Sequence, residues 1–335
     1  MRDTHEAQAI TRRVWIRTST MFAGGLALAH GWPWLRASAE AWAPSDLALQ
    51  SAAPPEDAAA RMRAQIAKSP IATLALGSNL TMLSGPGGNI VVLHGKDGKI
   101  VVDTFVQTVW PQLKNALDGM GPGPLRTVID THWHFDHSDS NANFREAGAE
   151  VVAHDNTRTR MSQTHDLLGM HFEPSPPAAL PTRTFAATDT LQANGESVEL
   201  GYIPPAHTDT DIYVRYAGGN VLHLGDVFFN GMYPFIDATT GGSINGMIAG
   251  ADKGLDLSDN QTKVVPGHGP LGDKAALTRY RDMLVTVRDR VQRLKTSGRS
   301  LDEVVAQKPT ADLDATWGKG STRPENFVTL VYNLL

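Results

Sequence analysis

The sequence predicts an α/β chain in which two β-sheets pack face to face and carry helices on their outer faces. Three observations support that expectation. Short β-rich runs fill residues 71–103 and again 190–224, and each group is followed by helical stretches. The composition, 41% hydrophobic and 19% charged over 335 residues, is that of a soluble globular chain long enough for one α/β domain with extensions. Metal-competent side chains recur just past predicted strands, as expected when a site gathers on the loops at one sheet edge.

The elements follow in order. Residues 40–70 are rich in Ala and Pro and read as a linker with a short amphipathic surface helix near 55–67. Apolar or alternating runs at 71–76, 80–84 and 89–93 are separated by Gly, Ser and Asn turns. A fourth strand, 99–103, follows Asp97-Gly98, a hairpin signal. The pattern then predicts a helix over 106–117, a buried strand over 126–130, a helix over 140–147, a strand over 150–153 and a helix over 156–168. Residues 170–181, rich in Pro and without a period, read as a loop. Strands resume at 190–191, 196–203, 211–216 and 220–224. Next come a helix over 243–257, a strand over 262–265, a long amphipathic helix over 273–294 and two shorter helices, 301–306 and 323–335.

Composition also excludes whole classes of function. With no cysteine there is no disulfide, thiolate ligand or Cys nucleophile, so any metal must be held by imidazole and carboxylate. A formal net charge of −5 leaves no basic footprint for nucleic acid. There is no Gly-x-Ser-x-Gly elbow to suggest a serine nucleophile. Near the N-terminus, Arg12-Arg13 precedes an uncharged stretch, 18–35, and the small residues Ala37-Ser38-Ala39. The stretch is too weak and too broken by Gly and Pro to span a membrane. It resembles a twin-arginine export signal over residues 1–39, which implies a periplasmic or otherwise exported protein, not inserted in a membrane once the signal is removed. Residues 1–39 hold five Arg against Asp3 and Glu6, a surplus of three, so the remainder carries −8.

Thr131-His132-Trp133-His134-Phe135-Asp136-His137 begins where the strand 126–130 ends, and places four metal-competent groups within six residues. Three more follow, each past a strand: His207, Asp226 and His268. A lone His-x-His is most simply a satisfied polar turn, whereas seven donors in this order are a metal-binding pattern. These residues resemble the metallo-β-lactamase superfamily, whose signature His-x-His-x-Asp-His is followed by His, Asp and His. The resemblance covers roughly residues 71–335 and implies a four-layer αββα sandwich.

Carried over, the resemblance implies that His132, His134 and His207 hold a first metal. Asp136, His137 and His268 hold a second, and Asp226 bridges the two. Asp103, at an early strand end, supports the ligands from behind. Two Zn2+ are expected, with iron or manganese as alternatives. A shared water would have its pKa lowered from 15.7 toward about 7, giving a hydroxide nucleophile that Asp136 orients.

The expected function is hydrolysis of a small-molecule ester, thioester, lactone or amide, with Asn230 and Tyr233 expected to shape the substrate pocket. Asp226 fills the slot that is Cys in one β-lactamase subclass, and His134 the slot that is Glu in the oxygen-reducing branch. Phe229 stands where acyl-homoserine lactonases have Tyr. The alternatives are β-lactam hydrolysis, an iron-dependent persulfide dioxygenase, and an inert metal-binding periplasmic protein. The remaining histidines, His94, His154, His165, His171 and His223, read as structural or surface residues.

Overall fold

The computed structural model describes residues 55–335, and the export segment expected over 1–39 lies outside them. Seven strands form the first sheet: β1 (Ala72–Ala75), β2 (Leu80–Gly85), β3 (Gly88–Leu93), β4 (Lys99–Val102), β5 (Leu125–Ile129), β6 (Glu150–His154) and β9 (Arg183–Phe185). Their spatial order is β1-β2-β3-β4-β5-β6-β9. The first four pair antiparallel through tight turns; β4, β5, β6 and β9 run parallel. The change falls where helical crossovers replace hairpins, since parallel neighbours require a long connection. The crossovers carry α2 (Trp110–Asp118), the single turn α3 (Phe135–Ser138), α4 (Asn141–Glu146) and α5 (Asp155–Met161).

The second sheet is β10 (Thr188–Ala193), β11 (Glu196–Tyr202), β12 (Ile212–Tyr216), β13 (Val221–His223) and β14 (Lys263–Val265), in that order. Only its last pair is parallel, and α6 (Ile244–Asp256) makes that crossover. The long helix α7 (Lys274–Thr296) starts at Asp273, whose carboxylate accepts from Ala276 N and caps it. The chain closes with α8 (Leu301–Ala306), α9 (Asp314–Trp317) and α10 (Pro324–Leu334).

Strand alternation builds the layers. In β3, Val91 and Leu93 face Leu200, Ile212 and Val214 of the other sheet, while Ile90 and Val92 face outward against α2. The outer face of the second sheet, with Leu222 and Val264, is covered by Met247 of α6, Leu277 and Leu284 of α7, and Phe327 of α10. The result is the expected αββα sandwich. No helix among the described residues is long and apolar enough to cross a membrane.

The structure corrects three expectations. The helix α1 (Pro55–Ile66) is no surface appendage: Ala59, Met62 and Ile66 are buried in the core under the first sheet. The helix expected over 156–168 ends at Met161, and the chain turns back as a hairpin, β7 (His165–Leu167) and β8 (Met170–Phe172). The second of these strands occupies part of the expected loop, because His165-Asp166-Leu167 and Met170-His171-Phe172 alternate around a Leu-Gly turn. Strand β9 and helix α9, both short, also went unforeseen.

Candidate metal centre

The C-terminal ends of β4, β5, β11, β13 and β14 lie along one edge of the sandwich and deliver Asp103, the 131–137 segment, His207, Asp226 and His268. The ligating atoms of His132, His134, His207 and Asp226 lie within 4.8 Å of one another, as do those of Asp136, His137 and His268. Asp226 joins the groups. Its Oδ2 is 3.4 Å from His207 Nε2 and 3.9 Å from His132 Nε2, and its Oδ1 is 3.3 Å from His137 Nε2 and 3.4 Å from His268 Nε2. Asp136 Oδ2 lies 3.5 Å from both His137 Nε2 and His268 Nε2.

Hydrogen bonds behind the rings decide which nitrogen faces inward. His137 Nδ1 donates to Asp103 Oδ2 at 2.8 Å, and the same carboxylate accepts from the Thr131 amide and hydroxyl. That hydroxyl accepts in turn from His132 Nδ1, 3.1 Å away. His207 Nδ1 donates to Phe235 O, and His134 Nε2 to Asp237 Oδ2. With those nitrogens carrying the protons, His132 Nε2, His134 Nδ1 and His207 Nε2 present lone pairs to the interior, and His137 Nε2, whose proton the surrounding carboxylates favour, does so once that proton is lost. Asp103 adopts φ +67, a left-handed backbone that a β-strand end tolerates only when its surroundings hold it there.

The donor set fits divalent cations. His207 Nε2 and His134 Nδ1 stand 2.9 Å apart, lone pair against lone pair, a repulsive approach that a shared positive charge converts into attraction. His132 Nε2, Asp136 Oδ2 and Asp226 Oδ1 are buried with no hydrogen-bond partner among the described residues. Burial, reinforced by His137, holds the His132 pKa well below the usual range; burial likewise lowers His207 to about 4, so both stay neutral donors. Burial opposes ionisation of Asp226, yet His268, His137 and His207 hold its carboxyl well below the ordinary value. Burial also opposes a proton on His268, yet Asp226 and Asp136 raise it to about 9.

Glycines make the close approach of these loops feasible. A Cβ on Gly267 would fall on Asp226 Oδ1, and one on Gly88 would sit 3.2 Å from His137 Cε1 and 3.3 Å from His268 Cε1.

Three supporting residues escaped the sequence reading. Asp237 accepts from His134, Thr239 N and the Thr239 and Thr240 hydroxyls. Against the effect of burial, those bonds keep it ionised well below its ordinary pKa. The visible signal was Asp237-Ala-Thr-Thr, a side-chain cap motif. Asp211 accepts from His207 N and from Thr208 N and Oγ1, and fixes the turn that aims His207. Asn89 donates to Pro266 O and Gly269 O and pins the loop of His268; only the packing of the two sheets reveals that role. The histidine His223 is structural as expected: it accepts from Gly225 N at Nδ1 and donates from Nε2 to Asn89 O.

A cavity open to solvent lies over the two clusters. Beside His134, Asp136, Asp226 and His268, its walls are Phe135, Leu167, Leu168, Phe229, Met232, Phe235 and Ser321. Asn230 and Tyr233, expected there, are not among them. Tyr233 is fully buried, stacks on Phe327 and donates its hydroxyl to Asp314 Oδ1, so it serves the helical layer. Asn230 donates to Pro270 O, and its amide to His268 O, so it braces the His268 loop.

Residues 83–270 match the family model described as the metallo-beta-lactamase superfamily. Among solved structures, the chain is similar to a metallo-beta-lactamase from Pontibacter korlensis (18% identity, TM-score 0.56, covering 64% of this chain and 99% of that one). The DIM-1 metallo-beta-lactamase compares at 21% identity and TM-score 0.53, over 65% of this chain and 99% of that one. The inverting sec-alkylsulfatase Pisa1 from Pseudomonas sp. compares at 16% identity and TM-score 0.59, over 89% of this chain but 54% of its own. At these identities the structural likenesses establish the fold. With the family match spanning more than half its length, the chain belongs to the metallo-β-lactamase superfamily.

Proposed function

We propose that this protein is an exported hydrolase that holds two Zn2+ and cleaves a small-molecule ester, thioester, lactone or amide. The observation that carries the reading is the placement of Asp226, with one carboxylate oxygen toward each His-containing cluster. Two divalent cations held by these residues would supply a hydroxide at neutral pH and a Lewis acid for the scissile group. His132, His134 and His207 would hold one and Asp136, His137 and His268 the other, with Asp226 shared. Asp136, whose Oδ2 is buried and without a hydrogen-bond partner among the described residues, would help hold a cation and accept a hydrogen bond from that hydroxide, orienting it. The buried setting around it excludes competing bulk water and strengthens each electrostatic contact.

The test is a metal count on the purified chain, joined to a panel of esters, thioesters, lactones, amides, β-lactams and sulfate esters. The proposal expects two zinc ions per chain and turnover of an acyl substrate that a chelator abolishes. One iron per chain with oxygen uptake on a persulfide would replace it with the dioxygenase alternative. Inertness across the panel would leave a metal-binding protein. Export is checked separately: in cells lacking the twin-arginine pathway, residues 1–39 should stay attached and the protein should remain in the cytoplasm.

A further inference from the structure

We propose that the β7–β8 hairpin is the specificity element of this site, and that the substrate it grips is uncharged with an apolar acyl or alkyl group that meets Leu168 at the hairpin tip. The inference names the substrate class for the hydrolase reading and rests on it for the ester assay alone. Among the described residues lining the cavity, every polar side chain except Ser321 belongs to the metal-binding clusters, and there is no lysine or arginine. Arg63 and Arg160 line an adjoining cavity that shares Phe135, and both are held in carboxylate pairs, with Asp139 and Asp209. A substrate carrying a remote anion would therefore be desolvated against Phe229, Met232 and Phe235 with no counter-charge. A hydrocarbon chain would be favoured by the same walls.

Leu168 is the second observation. Leu168 and Gly169 form the two-residue turn between Leu167 and Met170, with φ +53 and +74. That turn favours Asn-Gly, because both central residues need a left-handed backbone. A leucine there is disfavoured twice, by its backbone and by its hydrocarbon left in water: its relative exposure is 46%. The rest of the hairpin is fixed. Leu167 and Met170 are buried, and Phe172 stacks on Phe135 at 5.3 Å. The Arg63 guanidinium lies over both rings. The hairpin thus holds an unfavourable leucine steadily at the cavity mouth, a strained placement of the kind that accompanies ligand contact.

The test uses the zinc-loaded full chain and Leu168→Asn, which suits the turn and removes the hydrocarbon. Calorimetry measures binding of acetohydroxamate, octanohydroxamate and a carboxylate-tailed hydroxamate of matching length, and turnover is read on p-nitrophenyl acetate and octanoate. Each methylene buried should tighten binding about fourfold, so the wild type should favour the octanoyl probe well beyond tenfold. Leu168→Asn should cut that preference about tenfold with metal content unchanged. Equal affinity for the two alkyl probes, a preference for the carboxylate tail, or an unaltered preference in Leu168→Asn would overturn the proposal. An octanoyl preference in binding without turnover of either ester or of any other member of the substrate panel would sink the hydrolase reading and leave this one standing. Turnover without dependence on chain length would do the reverse.

Discussion

Asp226 carries a burden that the imidazoles around it cannot. Neutral His132, His134, His137, His207 and His268 contribute no charge, so two divalent cations would be balanced only by Asp136, Asp226 and one hydroxide. Replacing a support residue behind a ligand typically costs 10–100-fold in metal affinity, and losing a shared carboxylate should cost more. Asp226→Ala should keep the fold, fall toward one metal per chain by elemental analysis and lose most activity. Asp226→Cys, a thiolate of the same charge, should retain more metal than the alanine variant. Two metals bound to Asp226→Ala at wild-type affinity would remove the bridging role altogether. Asp237→Asn tests the support: a weakened acceptor for His134 Nε2 should lower zinc affinity about 10–100-fold in a competition titration with a chelator, while the fold is kept. At this scale the sequence was unevenly legible. The His-x-His-x-Asp-His run could be read because its spacing is local. Asp237 lies 103 positions from His134, and only the fold brings the two together. Tyr233 was misplaced because closeness along the chain to Asp226 says nothing about which layer its side chain enters.

Elements were legible where one period dominated. The alternation in β3 and the 3.6-residue stripe of α7 fixed both type and face. The failures cluster where tertiary pairing outweighed local pattern, as in residues 165–172, whose two three-residue strands are too short for their alternation to outweigh a preceding helix. The N-terminal helix was underestimated for a related reason, since its apolar face is small and its burial depends on the sheet beneath. Helix α1 gives a direct check. Ile66 is fully buried against the first sheet, so Ile66→Ala should destabilise the chain by about 2–5 kcal/mol in denaturant unfolding. Leu74→Ala, at a site 45% exposed, should change little. If Ile66→Ala proved as mild as Leu74→Ala, α1 would be an appendage after all and the domain would start at the first strand.

Across the whole molecule, the two sheets converge on an edge where charges must balance whether or not cations are bound. In the metal-free chain, protons supply that balance at one cluster. Burial works against a charged His268, but Asp226 and Asp136 raise its pKa to about 9, and Asp226, Asp136 and Asp103 raise His137 likewise against burial. At the other cluster His132 and His207 are neutral at neutral pH. The clusters should therefore load unequally. A cation entering beside His132 and His207 displaces no proton from either ring. One entering beside His137 and His268 must expel protons, so its affinity should climb as the pH rises toward about 9. The stability consequence has a definite sign. A histidine whose pKa rises on folding, from 6.5 to about 9 for His268, adds stability that is complete below 6.5 and disappears as the pH passes through about 9. The thermal midpoint of chelator-treated protein should consequently fall over that window. The zinc-loaded form, whose rings coordination would already have deprotonated, should hold steady, so the gap between the two widens with pH. Scanning calorimetry on both forms from pH 6 to 9 measures it; a metal-free midpoint that stays flat or rises would show that His268 and His137 are not the groups holding the empty cluster together.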